Sequence, residues 1–167
     1  MSGFVIPAPA QASLPVQDAD ARFPIRRVLC VGRNYAAHRA EMGHDDRDPP
    51  FFFSKPADAV VPPGSAVPYP SATADLHHEI ELVLALSGGG ADVSEADALG
   101  LVFGYAVGVD LTRRDLQAAA KAKGQPWDAA KGFDASAPTS AIRPARGAWP
   151  TGRIRLSVNG DPRQDSD

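Results

Sequence analysis

"DLHHEIELVLAL" (residues 75–86) places Asp75, His77, His78, Glu79 and Glu81 at the head of an apolar run. The run itself predicts a buried strand over 82–86. A strand entering a core does not ordinarily carry two carboxylates in alternation. Side chains alternate along a strand, so His77, Glu79 and Glu81 share one face, and His78, Ile80 and Leu82 share the other. The two carboxylates stand about 6–7 Å apart along the backbone and repel unless something positive lies between them. A hard divalent cation with oxygen ligands would relieve that repulsion. A solvated outward face on an edge strand would also accommodate the spacing.

Asp110 bears on the choice. It ends a second apolar strand, "LVFGYAVGVDL" (101–111). Three acids at two strand ends suit a facial Mg2+ or Mn2+ site with positions open for substrate and water. Their carboxylates are expected to converge on one point. Zinc fits less well, because "HHEIE" is not H-E-x-x-H and one cysteine offers no thiolate cluster.

The whole chain fits a single domain. It has 167 residues, 44% hydrophobic and 22% charged, with a net charge of −3. That length can bury a sizeable core. That charge gives no surface for nucleic acid or an anionic membrane. Sixteen prolines and fifteen glycines favour a loop-rich, strand-rich fold over a helical bundle. The lone Cys30 excludes an internal disulfide and fits a reducing compartment. No apolar stretch approaches the ~20 residues of a membrane span. The cytoplasm is the expected location.

Along the chain, residues 1–24 read as an extended, Pro/Ala-rich N-terminal arm, and 25–167 as the catalytic domain. Strands are expected at 26–35, 51–56, 76–86, 101–111 and 153–158. The best helix is "TRRDLQAAAKAKG" (112–124), and Ser94 with Asp97 opens a short one in a loose capping box. The last strand turns at Asn159-Gly160, and little chain remains to supply its partner. This suggests a C-terminally incomplete domain, cut short or continued elsewhere.

Two further groups bear on chemistry. In "NYAAHRAEMG", His38 and Glu41 are three apart, so on a helix a carboxylate would orient an imidazole, as a general base for water requires. The same spacing describes a surface His–Glu pair. Arg114 and Gln117 share a helix face just after Asp110, and Lys131 precedes a Gly turn in "PWDAAKGFD". A substrate bearing carboxylates and developing enolate charge needs such donors. Arg113, Lys121 and Lys123 read as helix-surface charge, and Cys30 as a small buried strand residue.

Five stretches in order, "CVGRNYAAHRAEMG" (30–43), "FFFSKPADAVVPPG" (51–64), "HHEIELVLAL" (77–86), "GYAVGVDLTRRDLQ" (104–117) and "GQPWDAAKGFDASAP" (124–138), resemble the fumarylacetoacetate hydrolase family. The longer runs at 14–38 and 67–83 look most like the fumarylpyruvate hydrolases of gentisate breakdown. The resemblance implies an α+β fold, mostly β, in layered mixed sheets with short helices, commonly dimeric. It implies metal ligation by Glu79, Glu81 and Asp110, water activation by His38 with Glu41, and Lys131 as the catalytic lysine. Arg114 and Gln117 match substrate or oxyanion contacts, and Arg33 and Lys55 sit in matching motifs as further substrate contacts.

The expected reaction is metal-dependent hydrolysis of the C–C bond of an acylpyruvate, a small 2,4-dioxo acid, with fumarylpyruvate as the substrate the resemblance implies. The same site would suit oxaloacetate decarboxylation or isomerisation of a 2-oxo acid. A non-catalytic fragment or partner subunit is the alternative from another class.

Overall fold

The computed structural model describes residues 3–32, 49–145, 147 and 150–166. The described residues hold thirteen short strands, three short α-helices and two 3-10 turns joined by loops, an α+β fold in which strands dominate. Strands β1 (Ser13–Pro15) and β2 (Arg22–Pro24) pair antiparallel. So do β3 (Val28–Gly32) and β4 (Phe51–Lys55). Short β5 (Val60–Val61) pairs in parallel with β10 (Ala137–Pro138), which makes the sheets mixed. The pair β6 (Leu76–His77) and β9 (Thr112–Arg113) is antiparallel. The longest ladder joins β7 (Ile80–Leu86) to β8 (Val102–Val109), with β11 (Arg143–Pro144) on its other edge. Last come β12 (Ile154–Val158) and β13 (Asp161–Ser166). The helices are α1 (Glu95–Ala98), α2 (Arg114–Ala122) and α3 (Asp128–Lys131).

The core lies where β1, β7, β8 and the approach to β11 meet. Leu14, Ile25, Ala85, Ala106 and Ile142 are buried together, with Phe23, Val83 and Phe103 packed against them. The Phe23 and Phe103 rings lie 5.4 Å apart. Gly104 admits β11, because a Cβ there would meet the Arg143 carbonyl at 2.5 Å. Ile142 is 1% exposed. Ile142→Ala is expected to lower stability by ~2–5 kcal/mol, since it removes buried methyl groups and leaves a cavity. Denaturant titration checks this; a loss under ~1 kcal/mol would mean the site collapses freely.

Three expectations are corrected. Residues 1–24 are not an extended arm throughout. Residues 13–24 form the β1–β2 hairpin, and its Leu14 is 4% exposed in the core. Sparse apolar residues among prolines hide a hairpin in which Leu14 and its cross-strand partner Phe23 do the packing. The final strand also has its partner within the chain. Asn159 (φ 54°) and Gly160 (φ 90°) make a two-residue turn, and "DPRQDS" returns as β13 with a bulge between Leu156 and Ser157. Positive φ at both central residues is the twist-matching hairpin geometry. Finally, the leucines of β7 are not buried. Leu82, Leu84 and Leu86 are 48%, 41% and 51% exposed, while Val83 and Ala85 face the core. Alternation gives each strand two faces, and an apolar run does not say which one is covered.

Among the described residues no helix is long and apolar enough to cross a membrane. The Ser94 cap is present: its Oγ accepts from Asp97 N–H at 3.2 Å.

Candidate active site

Four segments bring charged groups to one place. Between β6 and β7 the chain leaves the ladder for two residues, His78 and Glu79. There the Glu79 carbonyl accepts from Asp110 N–H at 2.8 Å, so one backbone bond fixes the two acids beside each other. Asp110 follows β8 and is buried. Glu81, one residue into β7, shares the inward face with Val83. Helix α3 ends on Lys131, whose ammonium enters between Glu79 and Asp110. Its Nζ lies 2.8 Å from Glu79 Oε2 and 2.6 Å from Asp110 Oδ2. Arg114, at the start of α2, adds a contact of 2.5 Å from Nη2 to Glu79 Oε1 and donates through Nη1 to Gln117 Oε1 at 2.6 Å. Arg114 Nε donates to His77 Nδ1 at 3.3 Å, and His77 Nε2 stands 2.9 Å from Asp75.

Helices this short do not hold themselves in place; packing holds them. Trp127, the residue before α3, meets the Phe51 ring edge-to-face at 5.5 Å. The Phe53 ring lies 5.1 Å from Lys131 Nζ. Arg113 donates to the Ala129 carbonyl at 3.2 Å and lies 4.2 Å above the Phe133 ring. Arg113 is therefore a buttress of α3, contrary to its reading as surface charge. The loop before β6 is tied to α2 through Asp115, which accepts from Thr73 Oγ1 at 2.6 Å and from Ala74 N–H at 3.1 Å.

The charge state follows from this arrangement. Burial alone would raise the Glu79 pKa, but Lys131 and Arg114 outweigh it and hold the carboxyl below its usual range. Among the described residues Glu81 makes no ion pair. Burial, with Glu79 and Asp110 nearby, pushes its pKa up from 4.5 to about 7. Between those values the folded chain holds a proton that the unfolded chain has released. Stability in the presence of a chelator should therefore fall as pH rises from about 4.5 to 7 and then level. At ~1.4 kcal/mol per pKa unit the loss is at most about 3 kcal/mol, and solvent screening of the partly exposed Glu81 makes it smaller. Thermal melts from pH 5 to 8 should show the slope in wild type and not in Glu81→Gln; equal slopes in both would refute the assignment.

The structure brings Glu79, Glu81, Asp110, Lys131, Arg114 and Gln117 into one neighbourhood. The three carboxylates do not converge on one point as expected. Among the described residues no three His, Cys, Asp or Glu side chains are grouped tightly enough to hold an ion. The Lys131 ammonium is seated between Glu79 and Asp110. Lys55 is also there, but enclosed, 3% exposed. His38, Glu41 and Arg33 lie outside the described residues. Two neighbours were not foreseen. Phe53 stands against Lys131, and Cys30 lies within the field of Asp110, Lys55, Lys131 and Glu81, its thiol pushed up to about 11 chiefly by burial. Strand alternation could have revealed them: Phe53 and Lys55 share a face of β4, and Cys30 faces Phe53 in the β3–β4 register.

The donor set can be tested for a metal. It is all oxygen and anionic, the chemistry that hard divalent ions take. Asp110 Oδ1 is buried with no well-aligned hydrogen bond, although Lys55 Nζ is 2.9 Å away as an ion pair. Glu81 has its pKa raised by burial and, after it, by the negative charge of Glu79 and Asp110. A dication fits such a set, provided Lys131 yields the gap.

Residues 27–167 match the family model for the fumarylacetoacetate hydrolase C-terminal domain. The chain belongs to the fumarylacetoacetate hydrolase family. Among solved structures of this family, a fumarylpyruvate hydrolase from Pseudomonas aeruginosa, in complex with Mn2+ and pyruvate, is similar at TM-score 0.92 and 50% identity, over 98% of this chain and 73% of that one. A candidate fumarylpyruvate hydrolase from Burkholderia cenocepacia is similar at TM-score 0.89 and 57% identity, over 99% of this chain and 72% of that one. The mitochondrial oxaloacetate tautomerase of Bos taurus is 42% identical over 85% of this chain. The chain spans 65% of that relative's length, slightly under two thirds.

Proposed function

We propose that this chain carries the catalytic site of a metal-dependent hydrolase that cleaves the C–C bond of an acylpyruvate, with 3-fumarylpyruvate as the substrate. The observation that supports it is the Glu79–Asp110–Lys131–Arg114 cluster in a chain half identical to a fumarylpyruvate hydrolase whose structure holds pyruvate. Glu79, Glu81 and Asp110 would hold Mg2+ or Mn2+. When bound, the ion supplies Lewis-acid charge for a 2-oxo carboxylate and its enolate.

The chain's own residues do the rest. Arg114 and Gln117 bind and orient the substrate carboxylate. His38, oriented by Glu41, takes a proton from water as its oxygen adds to the C4 carbonyl. The C3–C4 bond breaks, its electron pair passes to C3 as the enolate of pyruvate, and the acyl carbon leaves as a carboxylic acid. Lys131 offers a buried ammonium to the developing negative charge. Protonation at C3 gives pyruvate.

A second reading has its own observation. The similarity to an oxaloacetate tautomerase favours enolisation of a 2-oxo diacid in the same site, without water addition. One experiment separates the two. The purified protein with Mn2+ is given fumarylpyruvate and oxaloacetate in parallel, and pyruvate formation, fumarate formation and the enol absorbance of oxaloacetate are followed. Stoichiometric fumarate and pyruvate support the hydrolase. Oxaloacetate tautomerisation or decarboxylation without fumarylpyruvate cleavage supports the second reading and defeats the first.

A further inference from the structure

Lys55 stands at the end of β4 with its side chain 1% exposed. An ammonium has three donors and no acceptor. The surroundings of this one are all protein. Nζ is 2.9 Å from Asp110 Oδ1, donates to the Leu111 carbonyl at 3.2 Å, and donates to the Lys131 carbonyl. Those partners come from two elements. Asp110 and Leu111 form the exit of β8, and Lys131 is the last residue of α3. Ser136 Oγ adds a second bond to the Lys131 carbonyl, at 3.0 Å. Lys131 Nζ in turn holds the other oxygen of Asp110. Lys55 thus grips one side of Asp110 and the main chain of Lys131, while Lys131 grips the far side of Asp110.

Burying a cation is costly, and replacing a whole buried ion pair by apolar side chains of similar volume is often neutral or stabilising, whereas removing Lys55 alone leaves Asp110 short of a partner. The contacts of Lys55 therefore favour geometry over stability as its use. We propose that Lys55 is a positioning residue: it sets the spacing of Asp110 and Lys131 in the cluster and touches no substrate. Its activity readout rests on the reaction proposed above; its geometric readout does not.

The experiment compares wild type, Lys55→Met and a control, Ile142→Val, which trims the core away from the cluster. Amines are acetylated with a water-soluble succinimidyl ester, and labelling of Lys131 is read by mass spectrometry against Lys121 and Lys123. Loss of the clamp should raise Lys131 labelling about 10-fold or more in Lys55→Met, because reagent access follows local opening, and leave it unchanged in Ile142→Val. In turnover, kcat should fall on the order of 10²-fold with KM within about threefold, as a misplacement of ~1 Å produces. A raised KM with unchanged kcat would make Lys55 a substrate contact and overturn the proposal. So would unchanged Lys131 labelling, or a control that reproduces both effects. If Lys55→Met does not fold, Lys55→Gln is judged by the same two readouts. If wild type releases no pyruvate, the proposed reaction fails, and the labelling comparison alone decides the role of Lys55.

Discussion

Lys131→Met is expected to lower acylpyruvate cleavage by roughly 10²–10³-fold, the loss found when one donor to a developing anion is removed. It should also destabilise the protein in the presence of a chelator. Lys131 is 2% exposed and pairs both Glu79 and Asp110. Removing one partner from a buried pair costs ~3–5 kcal/mol, because the other charges stay behind. For a domain of this size that is about 10 °C in melting temperature. Adding Mn2+ should restore much of the melting temperature and none of the turnover. The dication would pair the same carboxylates, yet it cannot stand in for the ammonium. Calorimetric melts with and without Mn2+, beside a pyruvate assay, provide the check. Full activity in the variant would remove Lys131 from the reaction, and a melting temperature indifferent to Mn2+ would speak against the acids as ligands.

His38→Ala is expected to separate the two candidate reactions. A general base contributes about 10²–10⁴-fold, so acylpyruvate hydrolysis should drop by that factor. Decarboxylation of oxaloacetate needs no activated water and should change by less than about 10-fold on the same reasoning. Mn2+ affinity, measured by titration calorimetry, should stay nearly the same, because His38 is not among the proposed ligands. A variant that keeps most of its kcat on fumarylpyruvate would sink the role.

The site was legible in the sequence where local rules reach. Glu79 and Glu81 announce themselves because two carboxylates alternate at the head of an otherwise apolar run. Asp110 does so because an acid ends the neighbouring strand, and the β7–β8 ladder lays the two strand ends side by side. Arg114 and Gln117 needed only helical spacing. The family was legible from five motifs in order. Tertiary facts were hidden. The convergence of Lys55, Lys131 and Asp110 depends on the β3–β4 register and on how α3 docks, and neither is local. The placement of Lys131's ammonium between the acids could not be read from spacing. The β1–β2 hairpin shows too few apolar residues to display a period, and β13, rich in charge with a proline, does not look like a strand. There the turn at Asn159-Gly160 dictates pairing and composition does not.

One feature beside Lys131 bears on how the cluster is kept in order. Ala135, in the loop leaving α3, has φ 60°. Left-handed backbone costs a residue with a Cβ ~1–2 kcal/mol. Glycine would relieve that cost but would enlarge the unfolded ensemble by a comparable ~0.5–1 kcal/mol, so the exchange is close to even for stability. It is not even for stiffness. The loop is anchored by Ser136, whose N–H donates to the Phe133 carbonyl at 3.2 Å and whose own carbonyl accepts from Leu111 N–H at 3.1 Å. With alanine between these anchors the backbone has few other conformations to visit. The dipoles and the ammonium beside the acids are thereby pre-organised: the reorganisation that a looser loop would undergo in every catalytic cycle is completed once, when the chain folds.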